Sequence, residues 1–337
     1  MTTPKFFKQE TAEGNNGEFK RCLPLGVQTK YNTLAPAIAT AETMRIAPVL
    51  GEPLFNEAAE YYASNGTTGE SEIHNNLIQL LQMAVVRLAC WDSFAELAVM
   101  MTDNGIADMQ TERRAYRYQT DALRETLRRQ GYEYINKVLE YCTANISTLS
   151  NFEQSPYYAE RKDSVIESLS IFERYVNINH DLTVFARLRE HIDQAEKMEL
   201  VFRIGESLYN AIIANRNETR FSPILMSIRS FVAHWAMAEA APFLNLEPTT
   251  HGMMITSEAS ASGNTTGRVQ QAPKQSQVNA YAQQHRTAAE RYIGQAVTYC
   301  KAHTDIYPEI AEIGTEGDTE HSPDLIDNHG YKTFLAL

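Results

Sequence analysis

Apolar side chains recur every three to four residues through most of this chain, a spacing that predicts amphipathic helices. One such stripe runs through "IATAETMRIAPVLGEPLFN", residues 38–56, and a second through residues 73–91. The pattern then changes at "AVMMTDNGIADM", residues 98–109, where a β-prone run is followed by Asn104 and Gly105, the favoured pair for a tight hairpin turn. A long helix containing "GYEYINKVLEYC" closes the segment, so the pattern predicts helix, helix, hairpin and long helix.

The same pattern is written a second time. Residues 192–210 read "IDQAEKMELVFRIGESLYN" and repeat several residues of the first helix at the same spacing. The matched residues are Ile38, Ala41, Glu42, Met44, Gly51, Glu52, Leu54 and Asn56 with Ile192, Ala195, Glu196, Met198, Gly205, Glu206, Leu208 and Asn210.

Later blocks repeat in the same order. The chain has two tryptophans, and they end the second helix of each copy, as Trp91 and Trp235. The hairpin recurs at residues 252–270 with a longer Gly/Ser-rich tip, and both long helices carry an aligned tyrosine and cysteine. These last pairs are Tyr134 and Cys142 in the first copy, and Tyr292 and Cys300 in the second. Generic apolar spacing would not align these residues, so we predict a tandem duplication.

The predicted fold class is therefore mainly α, with two tandem helix–helix–β-hairpin–long helix units and extended terminal arms. The boundaries follow from the pattern: an N-terminal arm, unit 1, a linker, unit 2 and a C-terminal arm, at residues 1–37, 38–149, 150–182, 183–304 and 305–337. Within the linker, "SIFERYVNI" fits either a strand or a helix.

The repeated glycines and tryptophans each predict a structural role. Gly51 and Gly205 interrupt helical segments, where glycine costs about 1 kcal/mol relative to alanine, so they mark a bend or a close helix contact. Trp91 and Trp235 are expected to anchor the core of each unit, although tryptophan is also favoured at interfaces.

Charge and composition narrow the class of protein. The formal net charge of −12 argues against general affinity for nucleic acid or an anionic membrane. No apolar run approaches the roughly 20 residues that span a bilayer, and the N-terminus lacks the apolar centre of a secretion signal. The four cysteines are too dispersed for a disulfide framework or a zinc knuckle. A soluble cytoplasmic protein is expected.

No motif for catalysis, nucleotide binding or metal binding occurs in the sequence. The nine histidines are scattered, and His180 and His191 are too far apart to share one helical turn. We therefore expect no enzyme activity, no cofactor and no metal. An arginine cluster opens the third helix of unit 1, and it fits an ion-pairing face better than a phosphate-contacting strip in so acidic a chain. Its members are Arg113, Arg114, Arg117, Arg124, Arg128 and Arg129.

The helical unit with a hairpin before its last helix, together with "LGEPLFN", "ACW" and "MMTDNG", resembles the head–tail connector (adaptor) proteins of tailed bacteriophages. It looks closest to the connector-like proteins of Bacteroidetes phages and prophages. Those are usually one unit long, whereas this chain carries two.

The resemblance implies a structural protein of the virion at the head–tail junction, present in the host cytoplasm during assembly. It would form a homo-oligomeric ring beneath the portal protein, contact adjacent tail or ring proteins, and let DNA pass without sequence-specific binding. The hairpin at Asn104 and Gly105 would line or rim the channel. The alternative reading is an intracellular α-helical scaffold or interaction protein of a bacterium, and a third is a helical enzyme whose site is assembled from unlinked residues.

The end of the chain carries a separate prediction. An acidic, polar segment precedes "GYKTFLAL", whose apolar side chains either fold back onto their own subunit or dock on a neighbouring chain. The candidate contact residues are Tyr331, Phe334, Leu335 and Leu337.

Overall fold

The computed structural model describes most of the chain. The described residues are 3–12, 17–23, 31–65, 71–94, 99–102, 105–108, 117–243, 246–249, 252–255, 258–259, 269–270 and 274–310. The architecture is mainly α, as predicted.

The first part of the chain is built around a long helix pair. Its helices are α1 Gln9–Ala12, α2 Glu18–Cys22, α3 Tyr31–Ala41, α4 Ala47–Leu50, α5 Glu52–Ala63, α6 Ser71–Asp92 and α7 Arg117–Ala144. A π-helical turn, Glu42–Ile46, joins α3 to α4 without a break. Helices α6 and α7 pack along each other, and α3 lies across α6.

The second part repeats this order. After the 3-10 turn Ser150–Gln154 come α8 Pro156–Arg161, α9 Leu169–Glu173, α10 Leu182–Gln194, α11 Val201–Ile204, α12 Glu206–Asn215, α13 Ser222–Ala240 and α14 Gln275–Ala302. A π-helical turn again joins two helices, at Ala195–Leu200 between α10 and α11, and a 3-10 turn, Thr219–Phe221, precedes α13. Helices α13 and α14 form the long pair that corresponds to α6 and α7.

Short strands stand where the sequence changes from a helical to a β-prone pattern. They are β1 Val99–Thr102, β2 Gly105–Asp108, β3 Leu246–Thr249, β4 Gly252–Ile255, β5 Glu258–Ala259 and β6 Val269–Gln270. β1 pairs antiparallel with β2, β3 with β4, and β5 with β6. Residues 103–104 and 250–251 lie outside the described part, so the predicted turn at Asn104 does too.

The N-terminal segment does not form the extended arm that we predicted. Residues 9–12 and 18–22 are helical, and Phe6, Phe7 and Phe19 are buried in the core of unit 1. Phe7 packs against Phe19, and Phe19 stacks on Tyr31 at 6.2 Å between ring centroids. The short helices of this segment are stabilised by tertiary burial rather than by an amphipathic face of their own. The sequence therefore lacks the apolar period that would have predicted them.

The segment between the units is equally well packed. Phe152, in the 3-10 turn, is fully buried, and α8 packs against α4. "SIFERYVNI", left open between strand and helix, contains the helix α9, which Ser168 caps by accepting from the N–H of Ile171. Val165 and Ile166 are fully buried. The residues that separate the units in sequence therefore join their cores in space.

One hydrophobic core runs from Phe6 to Ile310 through both units. Among the residues that the structure describes, no helix is long and apolar enough to cross a membrane.

Candidate functional site

The most unusual feature of each unit is a buried glutamate that holds a non-helical segment of backbone. In unit 1, Glu42 is 1 % exposed and its carboxylate accepts the N–H of Lys5 at 2.7 Å and the N–H of Phe6 at 3.0 Å. Two successive backbone donors thus converge on one side chain, an arrangement that stabilises a buried carboxylate. We call Glu42 with residues 5–7 the first clamp.

Unit 2 contains the same device at the equivalent residue. Glu196 is 1 % exposed, and its Oε1 accepts the N–H groups of Val165 at 3.1 Å and Ile166 at 3.3 Å. The Ser164 hydroxyl also donates to Oε1, at 2.7 Å. We call Glu196 with residues 164–166 the second clamp.

Local structure explains how both glutamates reach the interior. Each lies at the start of a π-helical turn, Glu42 as its first residue and Glu196 as its second. An inserted π turn rotates the side chains that follow it relative to an α-helix, and such turns occur often at functional sites. Burial raises the pKa of Glu42 to about 7 against the lowering effect of the Lys5 and Phe6 N–H groups, and burial likewise raises the pKa of Glu196.

The two clamps differ in how firmly the segment is held. In the second clamp, Arg216 donates to the carbonyls of Ser164 and Lys162, each at 2.7 Å, and Arg229 donates to the carbonyl of Val165 at 2.9 Å. In the first clamp, Gln82 on α6 donates to the Phe6 carbonyl at 2.8 Å. The Tyr31 hydroxyl adds a long contact to the Phe7 carbonyl, at 3.4 Å.

Both predicted tryptophans pack inside their own units and carry an arginine on the ring. The guanidinium of Arg45 lies 5.4 Å from the Trp91 ring centroid, and that of Arg203 lies 4.8 Å from the Trp235 ring centroid. Both rings are partly buried against the core. Each ring thus packs against the core of its own unit, as expected for a core anchor, and the arginine guanidinium lies over the ring.

The repeated tyrosines also sit on the last long helices. Tyr134 lies beneath the guanidinium of Arg87 at 4.6 Å, and Tyr292 stacks on His234 at 5.7 Å between ring centroids. Both are packed against the core, so they contribute to the joint between the two long helices of each unit.

The repeated glycines mark sharp junctions between helices. Gly51 and Gly205 have φ of +80° and +81°, a region that L side chains rarely adopt, and they join α4 to α5 and α11 to α12. A Cβ on Gly51 would lie 2.9 Å from the Cα of Ser155. The predicted bend and the predicted close contact are therefore both present at Gly51.

A partly buried ion pair links the two units. Arg128, on α7, contacts Asp181 at 3.0 Å, and Glu125 holds the same guanidinium at 2.8 Å. Asp181 is also the N-cap of α10, accepting from the N–H groups of Thr183 and Val184. Although burial opposes it, hydrogen bonds from Thr183 and Arg128 lower the pKa of Asp181. Of the arginine cluster, Arg124 and Arg129 are exposed, while Arg113 and Arg114 lie outside the described residues and the Arg117 side chain is not described.

Two further contacts join the segment between the units to unit 2 and to unit 1, the first of them through a buried arginine on α8. Arg161 is 6 % exposed, and its guanidinium lies 4.0 Å from the Tyr157 ring centroid and 5.6 Å from that of Phe185 on α10. Burial lowers its pKa. Ser170 adds a hydrogen bond to Glu140 across the same junction.

Sequence reasoning missed one histidine pair. The Nδ1 atoms of His234 on α13 and His285 on α14 lie 2.8 Å apart, so one ring donates to the other. Burial, the neighbouring His285 and Arg291 lower the pKa of His234 to about 4, and burial lowers that of His285. Within the described residues, no group of three or more potential metal ligands is found.

The remaining predicted contact residues belong to the first hairpin and to the C-terminus. Gly105 begins β2, whereas Asn104 and the C-terminal side chains lie outside the described part of the chain; these are Tyr331, Phe334, Leu335 and Leu337. The clamps, by contrast, had a signal in the sequence. The alanine–glutamate pair, Ala41–Glu42 and Ala195–Glu196, was matched as part of the repeat, but no binding role was predicted for its glutamates.

The comparisons with known proteins agree with the internal repeat. A family model described as a family of unknown function (DUF6712) matches residues 46–162 and again residues 203–318, together well over half of the chain. The double match confirms the predicted duplication. No curated protein and no solved structure matches the chain. The first match ends at residue 162, just before the second clamp segment, and both clamp segments lie outside the matched ranges.

Proposed function

The chain belongs to the DUF6712 family, in two tandem copies, and from this premise we propose that it is a structural virion protein of a tailed bacteriophage. In this proposal it is a head–tail connector that assembles as a ring beneath the portal protein and extends the DNA channel. The mainly α tandem halves and the strand pairs β1–β2 and β3–β4 support the proposal, in which these strands would line or rim the channel.

The observation that carries the proposal is the contact between the two units. The side of α7 in unit 1 meets the start of α10 in unit 2 through Arg128 and Asp181, so two different faces of a similar body are joined. Such a heterologous contact generates a ring when its rotation closes, and a filament when it does not. The chain thus contains one step of a head-to-tail arrangement within itself.

Exposed apolar side chains at the π-helical turns supply surfaces for further contacts. Met44 and Met198 occupy equivalent positions and are 68 % and 69 % exposed, and Phe202, one turn beyond Met198, is 75 % exposed. Methionine suits adaptable protein contacts because its side chain is flexible and polarisable. In a ring these residues would face neighbouring subunits, the portal protein or the next ring.

The charge balance is consistent with a channel rather than a DNA-binding protein. With a net charge of −12, the protein has no general means of releasing counterions from DNA, so DNA would pass without being held. The proposal assigns no catalytic residue, cofactor or metal. It assigns the apolar C-terminus to a neighbouring chain and the protein to the head–tail junction of the virion.

The proposal is tested by imaging. Negative-stain micrographs of the purified full chain are expected to show rings with a central channel, and a reconstruction of the virion is expected to contain this chain between portal and tail. An assembly that requires the portal protein would appear as rings only after the two are mixed. A virion reconstruction that finds the chain elsewhere, or a chain that stays monomeric with and without portal protein, would refute the connector and favour the scaffold reading.

A further inference from the structure

We infer that the groove of the first clamp is an exchangeable binding site, and that its second occupant is the N-terminal segment, residues 3–23, of another copy of this chain. The inference deepens the proposed self-assembly, on which it rests, by naming one of the contacts between subunits.

The groove binds its segment as a peptide-binding site does. Glu42 accepts two successive N–H groups, Gln82 donates to the Phe6 carbonyl, and the fully buried Phe6 ring packs edge-on against Phe55 at 5.3 Å. Backbone hydrogen bonds provide affinity, and an apolar pocket for an alternate side chain provides specificity. Near the end of the groove, the Lys8 Nζ donates to the Asn65 Oδ1 at 2.7 Å.

The segment is connected to α3 through residues 24–30. A connection of that length spans at most about 25 Å, which permits a neighbouring groove to be reached only when two units lie side by side. Exchange would therefore be confined to copies that are already in contact.

The second clamp shows what a permanent attachment looks like in the same fold. There the segment continues into unit 1 at one end and into unit 2 at the other, and Arg216 and Arg229 lock its carbonyls. Tyr209 adds a contact to the Asp163 carbonyl at 3.4 Å. The first clamp has no arginine at the position of Arg229, where the helix register places Val85. Farther along the segment, Tyr62 donates to Glu18 at 2.8 Å. The backbone of the first clamp segment therefore receives fewer side-chain hydrogen bonds than that of the second.

Exchange replaces each contact by an identical one. The segment of a neighbouring copy presents the same two N–H groups and the same phenylalanine, so a swapped arrangement loses none of the clamp's contacts. It gains a covalent path between subunits, which a ring would use to keep neighbours joined.

The experiment follows the segment between full-length chains. All four cysteines are buried, so single surface cysteines can carry dyes. A donor dye is attached to Glu10→Cys in one preparation and an acceptor dye to Glu60→Cys in another, both at exposed positions. Energy transfer on mixing is expected, because an exchanged segment brings position 10 of one chain close to position 60 of the other.

Proximity without exchange is excluded by moving one substitution. Phe6→Ala in the acceptor chain weakens the segment that competes within that chain, so transfer should rise, whereas Phe6→Ala in the donor chain should lower it, with about a tenfold difference or more between the two mixtures. Two chains that are merely adjacent would give equal transfer in both. Circular dichroism establishes that each variant keeps its helices.

A separate dye pair keeps this result distinct from the connector proposal. Donor and acceptor on Asn217→Cys, an exposed position in unit 2, report assembly without involving the segment. Rings with transfer at position 217 but none between positions 10 and 60, or equal transfer in the two Phe6→Ala mixtures, would overturn exchange and leave the ring intact. Exchange between chains that never appear at a head–tail junction would refute the connector alone.

Discussion

At the scale of single residues, the clamp glutamates matter because the fold buries a carboxylate that the unfolded chain leaves in water. For Glu42 the pKa is about 7 in the folded protein against an ordinary value of 4.5, so folding takes up a proton between these values. Its contribution to stability is present below pH 4.5 and is lost as the pH rises through 7.

Glu42→Gln is therefore expected to remove part of the pH dependence of stability. Between about pH 4.5 and pH 8, the free energy of unfolding of the variant should fall by about 3 kcal/mol less than that of the wild type, because the amide does not ionise. Urea titrations at several pH values measure this difference. His234 titrates in both proteins, with stability lost as the pH falls through about 4, so its effect cancels. Glu52→Gln, at an exposed repeated glutamate, is the control; an equal loss of pH dependence there would contradict the assignment.

Glycine substitutions should separate backbone strain from helix propensity. Gly51→Ala places a Cβ against the Ser155 backbone and forces a positive φ, so a loss of at least about 2 kcal/mol in stability is expected. Gly294→Ala, in α14 with no atom within 4 Å of the new Cβ, should stabilise the protein by about 0.5–1 kcal/mol. Thermal and chemical unfolding of both variants measures the contrast, and a Gly51→Ala protein as stable as the wild type would show that the junction adapts.

At the scale of elements, the ion pair between Arg128 on α7 and Asp181 at the start of α10 joins the two units. Arg128 and Asp181 are both mostly buried at the side-chain level, and Asp181 also caps α10, so removal of either partner affects the helix end and the junction together. A double-mutant cycle with Arg128→Met and Asp181→Asn should give a coupling energy of about 1 kcal/mol or more.

The matched control is an exposed pair on the same helix. Lys137 and Glu133 are 3.0 Å apart with side chains 47 % and 38 % exposed, and their coupling should be about 0.3–0.5 kcal/mol. Equal coupling for the two pairs would mean that the junction adds nothing beyond a surface ion pair.

The elements also show what the sequence could predict. The apolar period predicted the long helices, and the repeated tryptophans, glycines and tyrosines predicted the duplication. Both signals are local in the sequence. The π-helical turns were not predictable in this way, since inserting one residue into a helix depends on what the glutamate binds, and its partners lie 30 to 37 positions away. Helices α1 and α2 were missed for the same reason: they are short, and only the groove buries them.

At the scale of the whole molecule, the buried side chains of the described core run from Phe6 to Ile310. None of them belongs to the C-terminal segment after residue 310. Deleting residues 330–337 should therefore leave the helical spectrum and the unfolding midpoint unchanged while weakening assembly. Circular dichroism and the proportion of rings in micrographs measure the two effects. An unfolded truncated chain would place the tail in its own core.

The order in which the chain is made gives the first clamp a further consequence. Lys5 and Glu42 are 37 positions apart, and the segment comes first. At a synthesis rate of roughly 5–20 residues per second, the segment leaves the ribosome about two to seven seconds before its glutamate. During that interval Phe6, Phe7 and Phe19 have been synthesised, but the groove residue Glu42 has not. On a messenger RNA that carries several ribosomes, the nearest complete groove belongs to the chain on the preceding ribosome. Neighbouring subunits therefore have an opportunity to exchange segments during synthesis.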